Sequence, residues 1–106
     1  MNGVRLKVCG ITSINDALLA VECGASYLGF NFYRPSQRYI DPVAVREIVA
    51  ALPVGVESVG IFVDEPRPAD VIRILAQSGV TLAQLHGAES VGYCLEVGAE
   101  RVIKAF

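Results

Sequence analysis

The sequence predicts an α/β domain built of parallel strand–helix repeats. Short apolar strands alternate with helical segments along the whole chain. Every strand-to-strand connection leaves room for a helical crossover, which parallel pairing requires and a hairpin does not. The strands read as near-continuous apolar runs, as strands covered on both faces do. Strand starts near residues 5, 26, 57, 81 and 101 lie about 24 residues apart, so eight such units would take about 190 residues, near the ~200 at the lower end for a (β/α)8 barrel. Five strands also suffice for a complete doubly wound sheet. The period alone leaves both architectures open.

The elements follow in order. Residues 5–9 (RLKVC) form a first strand that stops at Gly10. Ser13 then reads as an N-cap with Asp16 three residues on, the spacing that satisfies orphan helix N–H groups. The helix continues through Ala17, Leu18, Val21 and Glu22 until Gly24, which tolerates the left-handed conformation past a helix end. Residues 27–32 (YLGFNF) are aromatic and apolar, as a second strand should be. After a polar loop, Asp41 and Pro42 open a second helix over 42–52, with Val45, Ile48, Val49 and Leu52 on one stripe. Residues 57–63 (ESVGIFV) give a third strand. Pro66 and Pro68 open a third helix, with Val71, Ile72, Leu75 and Ala76 expected to face inward before Gly79 closes it. Residues 82–85 form a fourth strand ahead of His86 and Gly87. A weaker helix from about 90 to 97 carries Gly92, and 102–106 (VIKAF) is a fifth strand.

Composition narrows the function classes. Nine basic residues face eleven acidic ones with no run of either sign, and the net charge is −2. Such a surface offers no attractive field to nucleic acid or to anionic membrane. The chain is too apolar, at 53% hydrophobic, for a disordered segment. No apolar stretch approaches the roughly 20 residues of a membrane helix, and no signal peptide is visible. Cys9, Cys23 and Cys94 are odd in number and widely spaced, which argues against a disulfide framework or zinc site and for a reducing compartment. The expectation is a single cytoplasmic globular domain.

Six strings carry a more specific signal. They are KVCGIT at 7–12, GASYLGFNF at 24–32, SQRYI at 36–40, VGIFVD at 59–64, LAQLHG at 82–87 and VIKAF at 102–106. In this order and at this spacing they closely resemble the first five strands of the phosphoribosylanthranilate isomerases of tryptophan biosynthesis. The resemblance runs from about residue 4 to residue 106. It implies a (β/α)8 TIM barrel of which residues 1–106 are the N-terminal portion, a partial barrel of five strands. It also implies an Amadori rearrangement of N-(5-phosphoribosyl)anthranilate, a small phosphorylated substrate, with no cofactor or metal and no nucleic-acid or membrane partner. An acid opens the furanose ring and a base removes the C2′ proton from the resulting iminium.

The resemblance assigns roles residue by residue. Cys9, at the end of the first strand, becomes the general base, suited by an ordinary thiol pKa of ~8.5; otherwise it is a small buried hydrophobe. Arg38, in the loop after the second strand, becomes the clamp on the anthranilate carboxylate, for which a guanidinium supplies two parallel donors. Arg34 reads as a solvent-facing neighbour. His86, the only histidine, stands at the end of the fourth strand, two residues after Gln84. It is a substrate contact or a structural histidine, and not the base while Cys9 is available. Asp64 reads as a polar loop residue. Lys7 can face the interior as a cation beside the thiol, although a polar plug in the barrel floor is preferred. Cys23 and Cys94 read as packing residues.

In the family, the general acid is an aspartate ending the sixth strand, and phosphate sits on loops after the seventh and eighth. Neither lies among these 106 residues, which alone are therefore expected to be inactive. The alternative is a non-enzymatic half-barrel module that assembles with a complementary chain. A related phosphate-binding barrel such as indole-glycerol-phosphate synthase is disfavoured by KVCGIT and QLHG.

Overall fold

The computed structural model describes residues 5–104. The chain runs β1 (Leu6–Val8), α1 (Ile14–Glu22), β2 (Ala25–Asn31), α2 (Pro42–Ala50), β3 (Glu57–Phe62), α3 (Pro68–Ser78), β4 (Leu82–Leu85), α4 (Val91–Val97), a short 3-10 turn (Ala99–Arg101) and β5 (Val102–Lys104). Each expected element is present. The last two residues of the expected fifth strand lie outside the described residues. No helix among the described residues is long and apolar enough to cross a membrane.

The caps behave as their chemistry requires. Ser13 Oγ accepts from Asp16 N at 3.1 Å, and Asp41 Oδ1 accepts from Val43 N at 2.8 Å. Ser90 Oγ accepts from Tyr93 N at 3.1 Å, so α4 forms despite Gly92. One expectation is corrected in α3. Ile72 and Ala76 are exposed, and Val71, Leu75 and Ser78 are the buried stripe. The stripe advances by four and then three residues, placing 72 and 76 one position outside it.

All five strands pair in parallel in the order β1-β2-β3-β4-β5. A doubly wound sheet reverses its order at a switch point, and here the order never reverses. Right-handed crossovers marching in one direction put every helix on the same face. That face holds the core. Leu28 and Phe30 of β2, Phe62 of β3, and Ala83 and Leu85 of β4 pack on Ala17, Val45, Ile48, Val71, Leu75 and Val97 of the helices. Each large side chain buried there contributes about 1.5–3 kcal/mol.

The other face of the sheet is concave. Lys7 and Gln84, on strands separated by β2 and β3, are hydrogen-bonded to each other. Three strand spacings would hold their backbones about 14 Å apart on a flat sheet, and two side chains that leave opposite edges of that span meet most readily where the sheet curls toward this face. By alternation and register, Lys7, Gly29, Asn31, Val59, Ile61 and Gln84 look into the hollow.

Candidate active site at the strand ends

Cys9 follows the last residue of β1 and is exposed. The turn after it is held by Gly29 O, which accepts from Gly10 N at 3.0 Å and from Ile11 N at 3.1 Å. Gly29 is needed for that approach. A Cβ there would lie 3.0 Å from Cys9 Sγ and 3.2 Å from its Cα.

Arg38 reaches the same place from the loop after β2. That loop folds back on itself. Tyr33 N donates to Asn31 Oδ1 at 2.9 Å, Arg38 N to Ser36 Oγ at 3.1 Å, and Ile40 N to Asn31 O at 3.1 Å. A bridge between Asn31 and Tyr39 and the buried Ile40 fix the returning limb. The Arg38 side chain then lies across Gly10, where a Cβ would meet Nη1 at 2.6 Å and Cδ at 2.8 Å. Gly10 also has φ +82, the backbone conformation that favours glycine there. The fold thus brings the guanidinium over the residue next to Cys9. Arg34 turns away, with its guanidinium 5.7 Å from the Tyr39 ring centroid. It lines an outer groove shared with Arg73 and Gln77 of α3.

His86 is exposed just beyond β4, and its N–H donates to Phe62 O at 2.8 Å. Its Nδ1 lies 3.3 Å from Gln84 Nε2. Lys7 hydrogen-bonds Gln84, one residue before the end of β4.

A second cluster ties the neighbouring loops together. Glu89, whose side chain is 2% exposed, accepts from Asp64 N at 2.8 Å, Gly87 N at 2.9 Å and Lys104 Nζ at 3.2 Å. Asp64 Oδ1 accepts from Ala88 N at 2.7 Å, and Asp64 adopts φ +49. Asp tolerates that conformation better than most residues. Burial pulls the Glu89 carboxyl upward, but its own backbone, the Asp64 N–H and Lys104 outweigh this and hold it below its ordinary 4.5. Tyr93 O–H donates to Glu65 O at 2.6 Å. Burial first, and then the carboxylates of Glu65, Glu89, Asp70 and Asp64, push this phenol up to about 12.

The family model for N-(5'-phosphoribosyl)anthranilate (PRA) isomerase matches residues 6–106. The chain belongs to the PRA isomerase family. It is 48% identical over 103 residues to the N-(5'-phosphoribosyl)anthranilate isomerase of Geobacter metallireducens, covering 97% of this chain and 50% of that one. The crystal structure of the Thermus thermophilus PRA isomerase superposes with a TM-score of 0.92 at 44% identity, covering 97% of this chain and 52% of that one. A PRA isomerase solved in complex with reduced 1-(o-carboxyphenylamino)-1-deoxyribulose 5-phosphate superposes with a TM-score of 0.88 at 42% identity, covering 96% and 52%. The chain spans about half the length of the curated relatives it matches.

Residue reading from the sequence reached Cys9, Arg38 and His86 in this PRA isomerase segment, but not what holds them. The roles of Gly10 and Gly29 as space for Arg38 and Cys9 were not legible, because each depends on a neighbour from another segment of the chain. Asp64 is more than a polar loop residue, since it bridges two loops. Glu89 had no motif around it. The one available signal for its partner was Lys104, a charge inside an apolar strand.

Proposed function

We propose that the protein carrying this chain isomerises N-(5-phosphoribosyl)anthranilate to the carboxyphenylamino deoxyribulose phosphate, as the resemblance of its strand ends suggests. In this reading β1–β5 are the first five strands of a (β/α)8 barrel, and residues 1–106 are the N-terminal portion of one isomerase domain. The hollow lined by Lys7, Val59 and Gln84 is then the barrel interior, and the strand ends form its mouth. Barrel enzymes hold their sites there.

The observation that carries the reading is Arg38 lying across Gly10, the residue that follows Cys9. A planar, always-charged guanidinium suits a carboxylate such as that of anthranilate. It would hold the aromatic acid while Cys9, the general base, takes the C2′ proton of the ring-opened iminium. The electron pair of the broken C–H bond neutralises the iminium nitrogen, giving an enolamine that tautomerises to the ketone. His86 contacts the substrate from the opposite side of the mouth. The acid that opens the ring and the phosphate site are not among these 106 residues. The bound molecule in the solved relative, an arylamino sugar phosphate, is of the class that such a mouth would take.

Genetic rescue tests the proposal. The protein expressed from its complete gene should restore growth without tryptophan to a strain lacking this isomerase. Failure to restore growth, with folded protein present in the cells, overturns it.

A further inference from the structure

Lys7, Gln84 and His86 form a hydrogen-bonded row along the concave face, and chemistry sets the direction of each bond. An ammonium carries only donors, so Gln84 must present its oxygen to Lys7. The other end of the amide is a donor only. Gln84 Nε2 therefore donates to His86 Nδ1, 3.3 Å away, and Nδ1 is the bare acceptor. The ring proton then belongs to Nε2, because the hydrogen bond at one ring nitrogen decides the state of the other. The root of the side chain is fixed as well, by His86 N–H donating to Phe62 O at 2.8 Å. Nε2 makes no hydrogen bond among the described residues, and His86 is exposed.

We propose that Gln84, anchored by Lys7, is a positioning residue that locks His86 as its Nε2–H tautomer and so presents a directed donor to an oxygen of the bound substrate. The proposal rests on reading the strand ends as the substrate site. Its consequence is a division of labour. The bare nitrogen of His86 is occupied by Gln84, so this imidazole gives a hydrogen bond and takes no proton from substrate, leaving abstraction to Cys9.

Long-range proton–nitrogen NMR on the 15N-labelled protein from its complete gene reads the tautomer of the neutral ring directly at mildly alkaline pH. His86→Asn identifies the signals. The wild type should show the Nε2–H pattern alone. Gln84→Glu keeps the shape but offers only acceptors, and should invert the pattern to Nδ1–H. Lys7→Met frees the amide to turn over and should give a mixture, which Lys7→Arg restores to one form. Lys7→Met should also raise KM by up to about tenfold with kcat little changed, roughly the worth of one hydrogen bond. A wild-type pattern that is mixed or Nδ1–H overturns the lock. So does a Gln84→Glu spectrum like that of the wild type, and an unchanged Lys7→Met spectrum overturns the anchor. These readings need no substrate, so they stand apart from the functional reading. Saturation with the reduced product analogue tests that reading separately. An unmoved Nε2 signal would overturn the substrate contact of His86.

Discussion

Cys9 and Arg38 sit on adjacent surfaces, yet their removal should leave different kinetic signatures. Cys9→Ala in the complete protein should lower kcat by at least ~10²-fold, the lower end for losing a general base. KM should change little, because proton transfer belongs to the transition state. A kcat near the wild-type value would take Cys9 out of the mechanism. In the proposed reaction Arg38 would hold a carboxylate that keeps its charge throughout. Arg38→Ala should therefore lower kcat/KM mainly through KM, by about 1.5–3 kcal/mol, the range for a hydrogen bond to a charged group. Arg38→Lys should recover only part of this, since an ammonium lacks the two-pronged geometry. An unaltered KM in Arg38→Ala would move the carboxylate clamp elsewhere.

At the scale of elements, the loops after β3 and β4 are joined through Glu89 and Asp64. Glu89 gathers two backbone N–H groups and the Lys104 ammonium while almost wholly buried. Its folded-state pKa lies below the ordinary 4.5, so the ionised carboxylate stabilises the fold. Linkage then gives the direction. That stability is present above the unfolded-state pKa and is lost as pH falls through the lower folded-state value. Glu89→Gln should cost about 1.5–3 kcal/mol at neutral pH. Thermal denaturation of both proteins from pH ~7 to pH ~3 should show the difference shrinking as the wild-type carboxylate is protonated. A difference that stayed constant with pH would mean that the charge of Glu89 is not what ties the loops.

For the whole molecule, the sheet has two open sides among the described residues, since β1 pairs only with β2 and β5 only with β4. Leu6 on β1 and Ile103 on β5 are exposed beside those edges, and α1 and α4 expose Leu19 at 60% and Leu95 at 63%. Free strand edges template pairing with other chains, and clustered apolar surface favours association. The 106-residue chain produced by itself should therefore associate, aggregate or lose fixed packing, and it should show no isomerase turnover. Sedimentation with a turnover assay checks both parts. A cooperative monomer would contradict the open-barrel account, and measurable turnover would reveal chemistry beyond Cys9 and Arg38.

Much of this was legible along the chain, because local rules act over a few residues. Ser13, Asp41 and Ser90 marked helix starts by their side-chain oxygens, and the apolar runs at 57–62 and 82–85 marked strands. The strand-end strings singled out Cys9, Arg38 and His86. Periodicity did not choose between a doubly wound sheet and a curling one, since strand order is a relation among elements far apart in sequence; only the resemblance of the strand-end strings favoured the barrel. The inward face of α3 was legible in part: Val71 and Leu75 are buried as expected, but Ile72 and Ala76, one residue out of phase, are not. Gly10 and Gly29 read as ordinary turn and strand glycines until Arg38 and Cys9 arrived from other segments to fill the space a Cβ would take. Sequence by itself determined which elements form and which side chains stand at strand ends, because capping and periodicity are local. Only the tertiary structure decided that Arg38 lies across Gly10 and that Lys7 meets Gln84, because close packing joins residues that the chain keeps dozens of positions apart.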